Sequence, residues 1–323
     1  MSLNKIFPLI LILLFLPIQS KAFLGIGKRY EQKQKIEAAR EAYAKGNYHK
    51  AIKIAQNFLM ENQDAPKRRH RRIYLVLGNA YAAINDYDHA LLTYNEALEV
   101  LPKDTRLNLA LANLYYKTEL YDKAIEFYNK ILQLNQNNRD ALLGLGRSYL
   151  KIGFLSKSHQ YFKEYLAQKG QKDNSVYYDY AIANFLSHNQ NTALEYVQKA
   201  KEINDTDPDV YFLIAKIYNN LNNTKEAKNN IDKALQLSNN RQDILLTSLL
   251  WKAYDKNTAK EALKEVKNYQ KQNPDSQLAI FIEGISLVMQ GKKQQAVKVF
   301  KKIQEKNDDS FIKDVATQIV KNN

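Results

Sequence analysis

The sequence predicts an all-α fold, a solenoid of about eight helix–turn–helix units. Three observations predict it. Small residues recur at a fixed interval: Ala51, Ala90, Ala124, Ser158, Ala193, Ala227, Ala262 and Ala296, spaced by 39, 34, 34, 35, 34, 35 and 34 residues. A second ladder stands twelve residues earlier: Ala39, Gly78, Ala112, Gly146, Ala181, Ala215, Leu250 and Gly284. Only Leu250 breaks it. Five residues before each anchor stand Gly46, Asn85, Glu119, Gly153, His188, Asn222, Asn257 and Gly291, six of the eight being Gly or Asn. Such self-similarity is the mark of stacked repeats.

Each ladder has a physical role. Two helices approach to about 8–10 Å only where small side chains lie at the crossing. The two small ladders supply that contact. Four residues after each anchor stand Ala55, Tyr94, Tyr128, Phe162, Val197, Ile231, Val266 and Phe300, which fill the space beside it. Gly and Asn accept the left-handed conformation just past a helix end. Each unit therefore reads helix, tight turn, helix, and buries its faces against its neighbours.

The pattern is clearest in Ile73–Pro102, where Gly78, Tyr81, Ala90, Tyr94, Ala97 and Pro102 fall at recurring offsets. It resembles the tetratricopeptide repeat, a helix–turn–helix unit with small residues at its 8th, 20th and 27th positions. The resemblance covers roughly residues 32–310 and implies a right-handed α–α superhelix. The first and seventh repeats fit it least well.

In chain order, residues 1–22 read as a secretory signal. Lys5 precedes an unbroken apolar run from Ile6 to Ile18, and Ser20-Lys21-Ala22 offers small residues at a cleavage site after Ala22. The alternative is an uncleaved membrane anchor. The run is shorter than the ~20 residues a span needs and contains Pro8 and Pro17. The chain has no cysteine, which excludes disulfide bracing and lipidation at a signal-end cysteine. Residues 23–31 lead in, 32–310 form the solenoid, and 311–323 form a capping helix with Phe311, Ile312, Val315, Ile319 and Val320 at helical spacing.

The widened first spacer carries Lys67, Arg68, Arg69, His70, Arg71 and Arg72. A charge run is commonly a solvated turn. The functional reading is a docking point for an anionic membrane or envelope surface. Net charge is +14, and +12 once Lys5 and Lys21 are removed. Export argues against nucleic acid as the partner.

The resemblance also implies a ligand groove lined by the first helix of each repeat. Its inward positions carry over as Arg72 and Asn79 in repeat two, and Arg106, Leu109, Asn113, Tyr116 and Lys117 in repeat three. Repeat four gives Asp140, Leu143, Arg147 and Lys151; repeat five, Tyr178 and Phe185; repeat six, Phe212 and Lys216; repeat seven, Trp251 and Tyr254. The N-terminal half is basic and would steer an acidic ligand. The C-terminal half is aromatic and would anchor apolar side chains. Ordinary packing between repeats is the competing reading of each aromatic. Leu75, Leu109 and Gly144 stand where the family's carboxylate-binding clamp needs polar residues, so that ligand is not assigned.

Nothing points to an enzyme or a cofactor. His49, His70, His89, His159 and His188 show no metal-ligand or triad spacing. Gly25-Ile26-Gly27-Lys28 lacks the spacing and the Ser/Thr of a phosphate loop. The expectation is a non-enzymatic scaffold of the cell envelope, most readily periplasmic, holding a protein partner in the groove for envelope assembly, secretion or appendage biogenesis. The alternative is a binder of an anionic lipid or envelope polysaccharide. An accessory subunit of an enzyme complex is a third option.

Overall fold

The computed structural model describes residues 27–63, 70–170, 173–304 and 311–321. The signal-sequence expectation, and Lys67, Arg68 and Arg69 of the basic spacer, lie outside the described residues. The chain divides into two compact units, Met1–Gly170 and Gln171–Asn323.

Unit 1 holds repeats one to four as helix pairs. They are α1 (27–44) with α2 (Tyr48–Glu61), α3 (Arg71–Ala83) with α4 (Tyr87–Val100), α5 (Thr105–Lys117) with α6 (Tyr121–Leu134), and α7 (Arg139–Lys151) with α8 (Leu155–Ala167). Unit 2 holds repeats five to eight. They are α9 (Asn174–Leu186) with α10 (Gln190–Ile203), α11 (Pro208–Asn220) with α12 (Thr224–Leu237), α13 (Gln242–Tyr254) with α14 (Ala259–Gln270), and α15 (Gln277–Met289) with α16 (Lys293–Gln304). A last helix, α17 (Phe311–Lys321), packs Ile312, Val315 and Ile319 against the core that contains Phe300 and Ile303.

Local chemistry starts and stops these helices. Asp104 accepts from the backbone N–H of Arg106 and Leu107, both at 3.1 Å, and Asn138 accepts from Ala141 at 2.9 Å. Asp207 caps α11 ahead of Pro208, whose missing N–H costs nothing in the first turn. At the turn inside every repeat but the seventh, Gly46, Asn85, Glu119, Gly153, His188, Asn222 and Gly291 all adopt φ between 57° and 78°. The next residue then donates back to the helix it leaves, as Asp86 to Tyr81, Leu120 to Tyr115 and Asn223 to Tyr218, each at 2.9 Å. This satisfies carbonyls that the helix end would otherwise leave open. Glu119 and His188 take the strained conformation without being Gly or Asn, because the fold demands it there.

Packing follows the two ladders. All eight anchors are at most 2% exposed. Ser158, the polar one, donates its hydroxyl to the Gly146 carbonyl at 2.9 Å, which removes the cost of burying it. The glycines of the other ladder are there for aromatic rings. A methyl on Gly78 would overlap the Tyr94 ring, one on Gly284 the Phe300 ring, and one on Gly146 would come to 3.0 Å from Phe162. The Tyr128 ring lies instead against Gly144 of the following repeat.

Repeat seven corrects the sequence register. Its turn has four residues, 255–258, where the neighbouring turns have three. Asn257 is not left-handed; Thr258 donates its hydroxyl to the Lys252 carbonyl at 2.8 Å and closes the turn another way. Counting back from Ala262 therefore lands one residue late. The eighth residue of α13 is Leu249, 1% exposed, whereas Leu250 is half-buried.

Candidate partner-binding face

The first helices of repeats three and four frame a cavity of about 490 Å³ in unit 1. Its lining is Leu109, Asn113 and Tyr116 from α5, Tyr128 from α6, and Asp140, Leu143, Gly144 and Arg147 from α7. Six of these eight are groove positions expected from the sequence, and the fold gathers them in one place. The spacing explains it. Residues 109, 113 and 116 are separated by four and three, so they share one helix face.

Tyr128 is the member the sequence reading missed, because its offset marked it as packing. Its ring is buried and its hydroxyl donates to Asn113 Oδ1 at 2.6 Å. Burial pushes the phenol pKa up, so it holds its proton and remains a donor. That fixes which way the exposed Asn113 amide faces: Oδ1 is engaged and Nδ2–H is left to donate. Repeat two repeats the device. Tyr94 donates to Asn79 Oδ1 at 2.6 Å, and burial raises its pKa too. The glycine beneath each ring was the available signal.

The remaining expected residues of unit 1 scatter. Arg106 and Lys151 are exposed, and Arg147 is half-buried. Lys117 donates to the Ala82 carbonyl at 3.1 Å and sits 5.2 Å from the Tyr87 ring centre, so it braces the end of α3. Arg72 lies in a different cavity of about 680 Å³, with Arg29, Lys33, Ile36 and Glu37 of α1, Arg71 of α3, and Val100–Asp104. Arg29, Lys33 and Lys103 were absent from the expected set, which began at repeat two.

In unit 2 the expected aromatic anchors are mostly committed to packing. Phe212 is 7% exposed, with the Lys216 ammonium 3.9 Å from its ring centre. Burial lowers the Lys216 pKa. Tyr178 and Phe185 are half-buried. The extra turn residue moves Trp251 off the expected face. It packs partly buried with Tyr211, Phe212 and Ile231, and borders a cavity of about 360 Å³ with Ser248 and Asn219. Tyr254 is 53% exposed. Among the described residues no helix is long and apolar enough to cross a membrane.

Comparison with known proteins agrees with this geometry. Tetratricopeptide repeat profiles match residues 36–102, 75–139, 208–241 and 278–310. No curated protein sequence matches the chain. Among solved structures, the fold is similar to a tetratricopeptide repeat protein from Parabacteroides merdae at 16% identity, with 90% of this chain and 97% of that one covered and a TM-score of 0.50. It is similar to the C-terminal part of a repeat-containing protein from Cytophaga hutchinsonii at 17% identity, covering 82% and 98% with a TM-score of 0.51. A chain of the Cut9–Hcn1 hetero-tetramer of the APC/C aligns at 12% identity over 85% of this chain and 52% of that one, with a TM-score of 0.56. Eight buried small-residue anchors, the shared turn and the profile matches together place the chain in the tetratricopeptide repeat family, whose members generally mediate protein–protein interactions.

Proposed function

We propose that this protein is a non-enzymatic scaffold of the cell envelope that holds an extended segment of a partner protein along the inner face of unit 1. One observation carries the proposal: the 490 Å³ cavity, where Tyr128 holds Asn113 with its amide N–H groups available. A fixed amide donor suits a main-chain carbonyl, since an ordered donor loses little freedom on binding. Arg147 and Asp140 beside it place one charge of each sign in the cavity, and Leu109 and Leu143 supply apolar wall. Peptide recognition needs this combination of main-chain hydrogen bonds and side-chain pockets. The basic balance of +14 favours acidic partners.

The envelope part rests on the apolar run Ile6–Ile18 and the site after Ala22. Envelope assembly, secretion and appendage biogenesis are the settings that suit an exported basic scaffold. The test is capture from an envelope extract by the wild-type chain and by an Asn113→Ala/Arg147→Ala variant. A partner held by wild type and lost by the variant is the expected result; equal capture by both removes the proposal. Exported material should begin at Phe23, and intact Met1 in a membrane fraction would replace cleavage with an anchor.

A further inference from the structure

The larger cavity of unit 1 has an unusual charge balance. Its lining carries five cations, Arg29, Lys33, Arg71, Arg72 and Lys103, against two carboxylates, Glu37 and Asp104. Both carboxylates are occupied: Glu37 pairs with Arg40 at 2.9 Å, and Asp104 pairs with Arg71 at 3.0 Å. Asp104 also caps α5. Among the described residues, Arg29, Lys33, Arg72 and Lys103 form no ion pair. The Arg71 Nε is buried and makes no hydrogen bond among them. A buried donor left open is costly, and the cost is removed when an acceptor arrives.

The start of α3 adds to this. His70 gives it no side-chain cap, and its first turn holds no acidic residue. Arg71 and Arg72 stand there instead, against the helix dipole, so an anion is favoured at that end.

We infer that this cavity is a binding site for a phosphate-class anion with two or more negative charges, attached to an apolar group. The cations come from three separate segments, α1, α3 and the 101–104 turn, and surround one compact volume of about 680 Å³. A compact polyanion meets several of them at once. An acidic peptide spreads its charges by ~3.3–3.6 Å per residue along a line. Arginine's forked donors match phosphate oxygens in pairs. Ile36, Leu101 and Pro102 give the apolar wall. The inference is independent of the peptide cavity between α5 and α7.

The test uses the full chain, a Lys33→Gln/Arg72→Gln variant and a separate Lys103→Gln variant, with circular dichroism to establish that each is folded. Inorganic pyrophosphate is titrated by calorimetry. Flotation is measured with phosphatidylcholine vesicles, with and without phosphatidic acid. The expected result is binding that weakens about tenfold or more in the double variant and falls in high salt. Variant-sensitive binding to pyrophosphate alone identifies a soluble phosphate ester. Variant-sensitive flotation that requires phosphatidic acid identifies a lipid headgroup. No binding to either probe, or binding equal in wild type and variants, overturns the inference. A pentaglutamate peptide that outcompetes pyrophosphate at the same residues overturns it in favour of an acidic protein segment.

Discussion

Repeats three and four of unit 1 and repeat seven of unit 2 are built from helices of nearly equal length, yet they solve the same crossing in opposite ways. In repeat four, Gly146 leaves the eighth place of the first helix almost empty and the Phe162 ring of the second helix lies beside it; in repeat three, Ala112 is as small, and Tyr128 leans over Gly144 of the next repeat. In repeat seven, Leu249 fills the eighth place and the second helix contributes only Val266. The extra turn residue accompanies the exchange. The lesson is that the bulk beside a crossing can come from either helix, since a close-packed interior sets no rule for which one supplies it.

This comparison can be broken most strongly by deletion of bulk. Phe162→Ala should cost about 3–5 kcal/mol. Val266→Ala should cost about 2 kcal/mol, at ~0.8 kcal/mol per methyl. Denaturant midpoints read both, and equal losses would contradict the division of volume. The eighth place should then show opposite preferences. Leu249→Ala should lose about 2–5 kcal/mol by opening a void. Ala112→Leu should lose about 1–3 kcal/mol by overpacking. A neutral Ala112→Leu would mean that the crossing is looser than described.

The turns sharpen the contrast at smaller scale. Glu119 is left-handed at φ 61°, so Glu119→Gly should stabilise by about 1 kcal/mol. Asn257 is not left-handed, so Asn257→Gly should give no gain, by thermal unfolding. The smallest effect concerns the half-buried Lys216 of repeat six, whose pKa is lowered by burial. The unfolded chain binds the extra proton between the two pKa values, so the penalty is full below the folded value. It fades as pH rises toward the unfolded value near ~10.4. Lys216→Met should therefore gain stability over wild type at pH 7, and the gain should shrink by pH 10.

Much of this was legible beforehand. The ladders through Ala90 and Ala124 located the helix pairs, and all seven left-handed turn residues outside repeat seven followed from their place in the count, Glu119 and His188 among them despite their side chains. The cavity residues Leu109, Asn113 and Arg147 were also placed, because helical spacing puts them on one face. Tyr128 was not, since its offset says buried and cannot say where its hydroxyl ends. Trp251 was misplaced because one inserted residue rotates a helix by about 100° relative to the count, a shift that an interval of 35 could assign to any loop.

The sequence by itself determined what is periodic: small residues where helices cross, bulky ones beside them, and turn residues that allow left-handed backbone. These are local or evenly repeated constraints, and each repeat states them again. The tertiary structure alone decided what depends on residues far apart in the chain. It set which ring lies over which glycine, which carboxylates are already paired, and hence that four cations beside α1 and α3 face a cavity without ion-pair partners among the described residues. Charge balance is a sum over neighbours in space, and spacing along the chain does not supply those neighbours.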